Sequence, residues 1–325
     1  MTCAFKKPAF LFPGQGSQYV GMALDYYEKS AGVRDLFGLS SEILGRDMKK
    51  LLAESGEDVL KQTEVAQGAV TLANLAAAAF LSENGVRAAA AAGHSLGEYA
   101  ALKEAGVLSV EDCFALVRER GKAMAAGAKS METEAKHAGD GANMAAVIGL
   151  SGAQVEEIIA GLTAEGVCSV YVANFNSSRQ TVISGEIDAV CQASERLKAA
   201  GARRVLPLKV SGPFHSPLMQ NAADAFSVFL KRIDFANPQI PVFSNVTGLQ
   251  IQTGSEAKTL ALRQITSPVR WTTIENEIFK LDIDAALEVG PGKVLCGLWM
   301  DAGYPFPCRP MGKLADAQAL FARDN

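Results

Sequence analysis

Short apolar runs alternate with longer helical patterns along the first third of the chain. Residues 9–12 form an apolar run that ends in a glycine-rich turn, which predicts a buried strand. Residues 63–81 predict a helix, and residues 88–93 predict a second strand of small side chains. Another helix opens at the capping signature of residues 109–112 and continues past Arg120. This alternation favours a parallel sheet with helices on both faces.

The middle of the chain has a different order of elements. Residues 129–141 are polar and contain glycine, so they predict a linker. The elements predicted after it are strands at residues 144–148, 167–173, 180–184 and 203–208, a helix opening at Ser151 and a helix over residues 187–200. The order strand–helix–strand–strand–helix–strand is that of a ferredoxin-like unit.

The α/β pattern resumes after Val210, with strands predicted near residues 241–244 and 285–289. We therefore predict an α/β protein with two subdomains. Residues 1–128 and 209–325 would form a large α/β-hydrolase-like subdomain with a parallel sheet. Residues 129–208 would form a small ferredoxin-like subdomain inserted into it. A length of 325 residues is compatible with two packed units.

The bulk composition narrows the class of protein. Hydrophobic residues make up 49% and charged residues 20% of the chain, which is typical of a globular protein. A net charge of −4 provides no large basic field, so a nucleic-acid partner is not expected. The six cysteines include no Cys-x-x-Cys pair, which disfavours zinc-ribbon and thioredoxin-type sites and indicates a reducing compartment.

The apolar stretches of the chain are short. The run near the N-terminus is too short for a signal peptide, and it has the pattern of a buried strand. Residues 72–81 are rich in alanine and too few to span a bilayer. The sequence therefore predicts a cytoplasmic protein with no membrane partner.

The segment Gly93-His94-Ser95-Leu96-Gly97 fits the Gly-x-Ser-x-Gly pattern of a nucleophile elbow. The pattern alone is weak, but here it follows an apolar strand and precedes a helix, as the motif requires. Glycine on each side of the serine lets neighbouring backbone approach a sharp turn. We predict that Ser95 is a catalytic nucleophile; the alternative is a structural turn.

A serine hydroxyl needs a base to take its proton, and the chain has three histidines. His94 adjoins Ser95 and is expected to point away from it, while His137 lies in the polar linker, where a solvated loop histidine is expected. His215 lies in the stiff segment Ser211-Gly-Pro-Phe-His-Ser-Pro217 just after a strand, and we predict that it is the base. The alternative is a capping or core histidine. Three dispersed histidines lack metal-ligand spacing, so no metal site is expected.

If the serine nucleophile attacks an acyl group, the site also needs hydrogen-bond donors for the oxyanion that forms. The elbow would supply the backbone N–H of Leu96, and the glycine-rich turn at Gln15 could supply a second donor. This turn is not a dinucleotide fingerprint, because Tyr19 stands where the third glycine should fall. The segment of residues 290–293 likewise lacks the rest of a Walker loop, so nucleotide binding is not expected.

Four motifs in this order resemble those of one enzyme family: Phe12-Pro-Gly-Gln-Gly-Ser-Gln18, Gly93-His-Ser-Leu-Gly-Glu98, Val210-Ser-Gly-Pro-Phe-His-Ser216 and Ser267-Pro-Val-Arg-Trp271. The chain resembles the malonyl-CoA:acyl-carrier-protein transacylases from residue 9 to at least residue 292. The resemblance implies that Ser95 becomes acylated and that His215 acts as its general base and later as an acid. It also implies that the backbone carbonyl of Gln264 orients the histidine in place of an acid, and that Gln15 and Leu96 supply the oxyanion-hole N–H groups.

The resemblance also assigns substrate-binding residues. Arg120 matches the arginine that binds the free carboxylate of the malonyl group; from the sequence alone it could equally lie on a solvated helix face, as expected of Arg118. Phe214 is similar to the residue of malonyl-selecting members, since a large ring would crowd an α-methyl group. Asn174 belongs to a segment that resembles the hairpin lining the cleft, although a plain turn is an alternative.

The implied partners are malonyl-CoA and the phosphopantetheine thiol of an acyl carrier protein in fatty-acid synthesis. No cofactor is expected, because the phosphopantetheine belongs to the carrier protein, and we expect a monomer. Three alternatives stay open: loading of a polyketide synthase carrier in trans, a serine hydrolase of the α/β-hydrolase type, and an inactive scaffold that docks a carrier protein. The hydrolase is disfavoured because those enzymes place an acid and then a histidine after the serine.

Overall fold

The computed structural model describes residues 5–134 and 143–321. In chain order, its strands are β1 (Pro8–Phe12), β2 (Ala90–Gly93), β3 (Met144–Ile148), β4 (Val170–Ser177), β5 (Gln180–Gly185), β6 (Arg204–Pro207), β7 (Ala285–Glu288) and β8 (Cys308–Pro310). Its α-helices are α1 (Leu24–Lys29), α2 (Ala31–Leu44), α3 (Met48–Glu54), α4 (Glu57–Lys61), α5 (Thr63–Glu83), α6 (Gly97–Glu104), α7 (Val110–Glu134), α8 (Gly152–Ala164), α9 (Ile187–Ala199), α10 (Gln220–Leu230), α11 (Gly254–Arg263), α12 (Trp271–Phe279), α13 (Val294–Asp301) and α14 (Leu314–Ala319). Short 3-10 turns lie at Pro217–Met219 and Gln264–Thr266.

A parallel sheet forms the centre of the larger part of the molecule, with strand order β2-β1-β7-β8. Every residue of β1 is buried, and successive residues face different cores: Phe10 and Phe12 pack in one hydrophobic cluster, Ala9 and Leu11 in another. A strand covered on both faces is apolar throughout, which explains the continuous apolar run at residues 9–12. The predicted parallel sheet is confirmed.

Helix α5 lies in the core of this part. It is the one helix within residues 5–134 and 143–321 that is long and apolar enough to cross a membrane, and 89% of its apolar window is buried inside the protein. It packs against α2, α6 and α7. Alanine and glycine occupy many of its positions, so neighbouring helices can approach on all sides. Helix α5 is therefore a core helix.

A second, antiparallel sheet has strand order β4-β5-β3-β6. Helices α8 and α9 pack on one face of it, where Ala145 and Val147 of β3 point. The alternate residues of β3, Met144 and Ala146, belong instead to the core of the large part. A capping box at Ser151 opens α8 as predicted. The order of strands and helices confirms the predicted ferredoxin-like subdomain beside the parallel sheet.

Two sequence predictions were wrong. Residues 129–134 are not linker, because α7 continues to Glu134; the segment contains Lys, Met and Glu, which are good helix formers, and their polarity does not by itself break a helix. The rest of the predicted linker, residues 135–141 with His137, lies outside the described residues. The strand predicted at 241–244 is not a continuous strand: Val242 makes one isolated parallel bridge to Ala91, and Phe243 makes one isolated antiparallel bridge to Gln250.

Backbone hydrogen bonds at Val269 and Arg270, shortly after the 3-10 turn Gln264–Thr266, connect the small sheet to the large part of the molecule. The backbone N–H of Phe175 on β4 donates to the carbonyl of Val269 at 2.8 Å, and the N–H of Val269 donates to the carbonyl of Ala173 at 2.8 Å. The N–H of Arg270 in turn donates to the carbonyl of Asn245. A ladder of backbone hydrogen bonds therefore fixes the small sheet against the loops at one edge of the large one.

Candidate active site

Ser95 lies on a tight turn between β2 and α6. Its φ of 51° is in the left-handed region, which is costly for a residue with a side chain. The flanking glycines are required sterically: a Cβ on Gly93 would lie 1.9 Å from the carbonyl carbon of Gly97, and a Cβ on Gly97 would lie 2.0 Å from the carbonyl oxygen of Phe12. The turn is therefore a nucleophile elbow packed directly on the end of β1.

His215 is placed against the serine. Its Nε2 lies 2.7 Å from Ser95 Oγ, and its Nδ1 lies 3.0 Å from the carbonyl oxygen of Gln264 and 3.2 Å from that of Ser267. Carbonyl oxygens only accept hydrogen bonds, so Nδ1 carries the proton and Nε2 is the free acceptor for the serine hydroxyl. The position of a triad acid is taken by these two backbone carbonyls.

The electrostatic surroundings keep this imidazole neutral. Burial, and then the positive charge of Arg120, lower the pKa of His215 to about 3. At neutral pH the ring is therefore in the form that can accept a proton. His215 also has a positive φ of 57°, so the loop is held in a strained conformation at the point where the ring meets Ser95.

Arg120 is fully buried beside the nucleophile. Its Nη1 donates to Gln67 Oε1 at 2.8 Å, and its Nη2 lies 3.0 Å from Gln264 Oε1 and 3.3 Å from Ser95 Oγ. Within the described part of the chain, its Nε has no acceptor and no carboxylate lies within 4.0 Å of the guanidinium. By contrast, Arg118 is partly exposed and pairs with Glu119. Arg120 is therefore a buried cation without an ion-pair partner, next to the serine.

A cleft of about 310 Å³ opens at these side chains, between the two sheets. Gln15 and Phe214 line it from the large part, and Asn174 lines it from β4. The glycine-rich turn touches the elbow, since a Cβ on Gly14 would lie 2.4 Å from the carbonyl oxygen of His94. Among the described residues, the backbone N–H groups of Gln15 and Leu96 have no acceptor.

His94 does not contact the serine hydroxyl. Its Nε2 lies 2.8 Å from Asn176 Oδ1, and its ring lies 5.5 Å from that of Trp271, measured between ring centres. Burial lowers the pKa of His94, with the Asn176 contact acting in the opposite direction, so the ring is neutral at neutral pH. Of the two histidines that the structure describes, His215 is the one placed as a base.

Three polar residues of the site were given no role in the sequence analysis, although Glu98 ends one of its motifs. Gln67 accepts from Arg120, Asn245 bonds the backbone of Gly93 and Ser95, and Glu98 accepts from Asn245 and Gln264. A signal existed for Gln67, because a glutamine in the alanine-rich part of α5 is unusual for a buried helix face. Asn245 gave no signal, since nothing in the sequence shows that residues 95 and 245 meet.

Ser95, His215 and Arg120 have the arrangement that serine acyl transfer with a carboxylate-bearing substrate would require. The comparison with known proteins agrees: the chain belongs to the acyl transferase domain family, whose model matches residues 9–303. The chain therefore has the fold and the family of an acyltransferase.

Its similarity to particular proteins is high over nearly the whole length. The malonyl CoA-acyl carrier protein transacylase of Bacillus subtilis (strain 168) is 39% identical over 292 residues, which are 90% of this chain and 89% of that protein. The solved malonyl-CoA:acyl carrier protein transacylase of Xanthomonas oryzae pv. oryzae has a TM-score of 0.88 and 38% identity, over 97% of this chain and 98% of that one. A malonyl-transacylase solved in complex with its type II PKS acyl-carrier protein has a TM-score of 0.87 and 37% identity, over 97% and 99% of the two chains.

Proposed function

We propose that this protein transfers a malonyl group from malonyl-CoA to the phosphopantetheine thiol of an acyl carrier protein, through an ester on Ser95. The observation that carries the proposal is Arg120: a fully buried guanidinium 3.3 Å from the serine oxygen, with no carboxylate partner among the described residues. A buried cation of this kind is stabilised by a substrate that brings its own carboxylate. Malonyl thioesters carry such a group on the acyl chain, whereas acetyl thioesters do not.

In the first half-reaction, His215 Nε2 takes the proton of Ser95 Oγ as the oxygen attacks the thioester carbonyl. The tetrahedral oxyanion would accept hydrogen bonds from the free N–H groups of Gln15 and Leu96. Its collapse breaks the carbon–sulfur bond, and the CoA sulfur leaves with the proton from His215. Malonyl-Ser95 and free CoA result, and no metal or cofactor is needed.

In the second half-reaction, the thiol of the carrier's phosphopantetheine replaces CoA. His215 takes the thiol proton, the sulfur attacks the ester carbonyl, and the carbon–oxygen bond to Ser95 breaks as the serine oxygen regains the proton. The carbonyls of Gln264 and Ser267 hold Nδ1–H, so the ring keeps its orientation through both directions of transfer. The route is ping-pong, because one thiol leaves before the other enters.

Two further residues have proposed roles in choosing the acyl group. Phe214 is buried at 6% exposure and lines the cleft next to His215, where its ring would crowd a branch on the α-carbon. Asn174 lines the cleft from β4, also at 6% exposure, and offers an amide to the substrate. A single pocket contact of this kind changes discrimination by about 1–3 kcal/mol.

We place the reaction in fatty-acid synthesis, in the cytoplasm, with the chain acting as a monomer and without nucleic-acid or membrane partners. Supply of a polyketide carrier in trans is the second candidate; it is supported by the similarity to a malonyl-transacylase in complex with a type II PKS acyl-carrier protein. The catalytic residues do not separate the two, since both carriers present the same thiol arm. Kinetics with the two kinds of carrier protein would separate them.

The proposal is tested by incubating the pure protein with malonyl-CoA alone and recording its intact mass, followed by digestion to locate the adduct. We expect one malonyl group on the peptide that holds Ser95 and no adduct on the Ser95→Ala variant. Labelling that survives in Ser95→Ala would refute the nucleophile. An unmodified wild-type protein with intact malonyl-CoA would favour the scaffold alternative. Rapid release of malonate to water would favour the hydrolase.

A further inference from the structure

A carboxylate lies beneath the elbow in a position that the proposed reaction does not use. Glu98, in the first turn of α6, is 1% exposed. Its Oε2 accepts from Gln264 Nε2 at 2.8 Å and from the backbone N–H of Asn245 at 2.9 Å. Its Oε1 has no partner, and no Lys or Arg nitrogen lies within 4.0 Å of it among residues that the structure describes. Glu98 is therefore not held by an ion pair, and burying it costs free energy.

Each of the two residues bound to Glu98 contacts the reaction centre. Gln264 donates from Nε2 to the carbonyl of Ser95 at 3.1 Å, and its Oε1 accepts from Arg120 Nη2 at 3.0 Å. Asn245 Oδ1 accepts from the N–H of Ser95 at 2.6 Å, and Asn245 Nδ2 donates to the carbonyl of Gly93 at 2.7 Å. Glu98 is thus connected through a single hydrogen-bonded residue to the strained elbow, and likewise to the buried guanidinium.

The side-chain amide of Gln264 has only one orientation that suits its neighbours. A guanidinium only donates, so the amide oxygen must face Arg120. The amide nitrogen must then face two acceptors, the carbonyl of Ser95 and the carboxylate of Glu98. Without Glu98, the amide nitrogen keeps only the carbonyl of Ser95 as an acceptor. The amide is then held less firmly, and so is the hydrogen bond that aims Nη2 of Arg120.

We propose that Glu98 is a positioning residue that sets the preference for a carboxylate-bearing acyl group by holding Gln264 against Arg120. The inference rests on the proposed function, because it concerns the choice of acyl group at the same site. Glu98 acts as a hydrogen-bond acceptor in this role, and its charge is not required. Burial raises the pKa of Glu98 to about 7, so the residue is partly protonated at neutral pH while Oε2 can still accept.

The test compares Glu98→Ala with Glu98→Gln, whose amide oxygen can replace Oε2. Single-turnover acylation of Ser95 is measured with malonyl-CoA and with acetyl-CoA, and each rate is normalised to the amount of active enzyme from the burst. We expect Glu98→Ala to lower the malonyl-to-acetyl rate ratio about tenfold, the scale of losing the charge-assisted hydrogen bond between Arg120 and Gln264. Glu98→Gln should keep the ratio within about threefold of wild type. A purely structural role would lower the active fraction and leave the ratio unchanged.

A second variant keeps the test valid if Glu98→Ala does not fold. Gln264→Met keeps the backbone carbonyl that faces His215 but removes the amide, so it should lower the ratio about as much as Glu98→Ala. The double variant should show no further loss, because both changes break the same connection. Glu275→Ala is the matched control: it removes another buried glutamate, bound to Trp271, that does not line the cleft.

The outcomes separate the inference from the proposed function. A wild-type ratio in Glu98→Ala or in Gln264→Met, with Ser95 acylated normally by malonyl-CoA, would overturn the positioning role alone. An equal loss in Glu275→Ala would also overturn it, since any buried carboxylate would then serve. A wild-type protein that malonyl-CoA never acylates would overturn both.

Discussion

At the scale of single residues, the proposed preference for a malonyl over an acetyl group depends on Arg120. The sequence left it evenly placed between a binding role and a solvated helix face. The structure separates it from Arg118 on the same helix: Arg120 is fully buried, and the side chain of Arg118 is 34% exposed. Burial of a guanidinium depends on which helices cover it, and the sequence of α7 alone does not contain that information.

The first prediction replaces this guanidinium by a side chain of similar length. Arg120→Met should lower kcat/KM for malonyl-CoA by about 10²-fold or more, because the substrate carboxylate would enter a buried site without a partner, at a cost of about 3–5 kcal/mol. The acetyl-CoA rate should change much less. Arg118→Met is the control, and steady-state kinetics of the two variants with both donors measures the effect. Equal losses for both donors in Arg120→Met would refute the role.

The second prediction concerns the pH dependence of His215. The charge of Arg120 is one cause of the low pKa of this imidazole, after burial, so removing it should raise the pKa. In the pH–rate profile of acylation by acetyl-CoA, the rate should therefore begin to fall at a higher pH in Arg120→Met than in wild type as the pH is lowered. Both proteins are compared in a Glu98→Gln background, so that Glu98 does not titrate in the same range. A fall that begins at the same pH or at a lower pH would contradict this.

At the scale of elements, the sequence predicted helix and strand ends correctly where the hydrogen bonds that fix them join residues close in sequence. The capping serine of α8 was readable because its hydrogen bonds are local: Ser151 Oγ accepts from the N–H of Gln154. The linker predicted at residues 129–141 was wrong at its start because polar composition was taken as a break in the helix. Gly127 of α7 lies against Ala222 of α10, so tertiary packing supports the last turns of α7.

The third prediction concerns the elbow as an element. Gly97→Ala should lower the free energy of unfolding by about 3 kcal/mol or more, because the new Cβ would lie 2.0 Å from the carbonyl oxygen of Phe12, and backbone in a central strand cannot move aside. Gly161→Ala is the matched control within α8: a Cβ there meets nothing within 4 Å, so we expect a gain of about 0.5–1 kcal/mol. Urea unfolding measures both. Similar losses in the two variants would show that the close contact is not decisive.

At the scale of the whole molecule, the sequence predicts the two sheets better than it predicts the cleft between them. Periodicity and element order are local properties, and they led to the parallel sheet and the ferredoxin-like unit. The hydrogen-bond network of the cleft joins residues 67, 98, 120, 245 and 264, which no local pattern connects. The family resemblance gave roles to Arg120 and Gln264 and placed Glu98 in a motif without a role. The contacts of Gln67, Glu98 and Asn245 are seen only in the tertiary structure.

Several buried carboxyl groups make the stability of the whole molecule depend on pH. Burial raises the pKa of Glu275 to about 8 and that of Glu98 to about 7, and it also raises the pKa of Glu288. The folded protein therefore binds protons that the unfolded chain has released, so these groups lower the free energy of unfolding as the pH rises from about 4.5 to 8. His215 acts in the opposite direction below its ordinary pKa, since its folded pKa is depressed.

The last prediction isolates the contribution of Glu275. Its Oε1 accepts from Trp271 Nε1 at 2.8 Å, and its Oε2 has no partner among residues in the described ranges. Glu275→Gln keeps an acceptor for the indole but cannot ionise, so its free energy of unfolding should fall less between pH 5 and pH 8 than that of wild type. Urea unfolding at the two pH values measures this, with the exposed Glu111→Gln as control. An equal fall in wild type and Glu275→Gln would mean that burial does not raise the pKa of Glu275 in the folded protein.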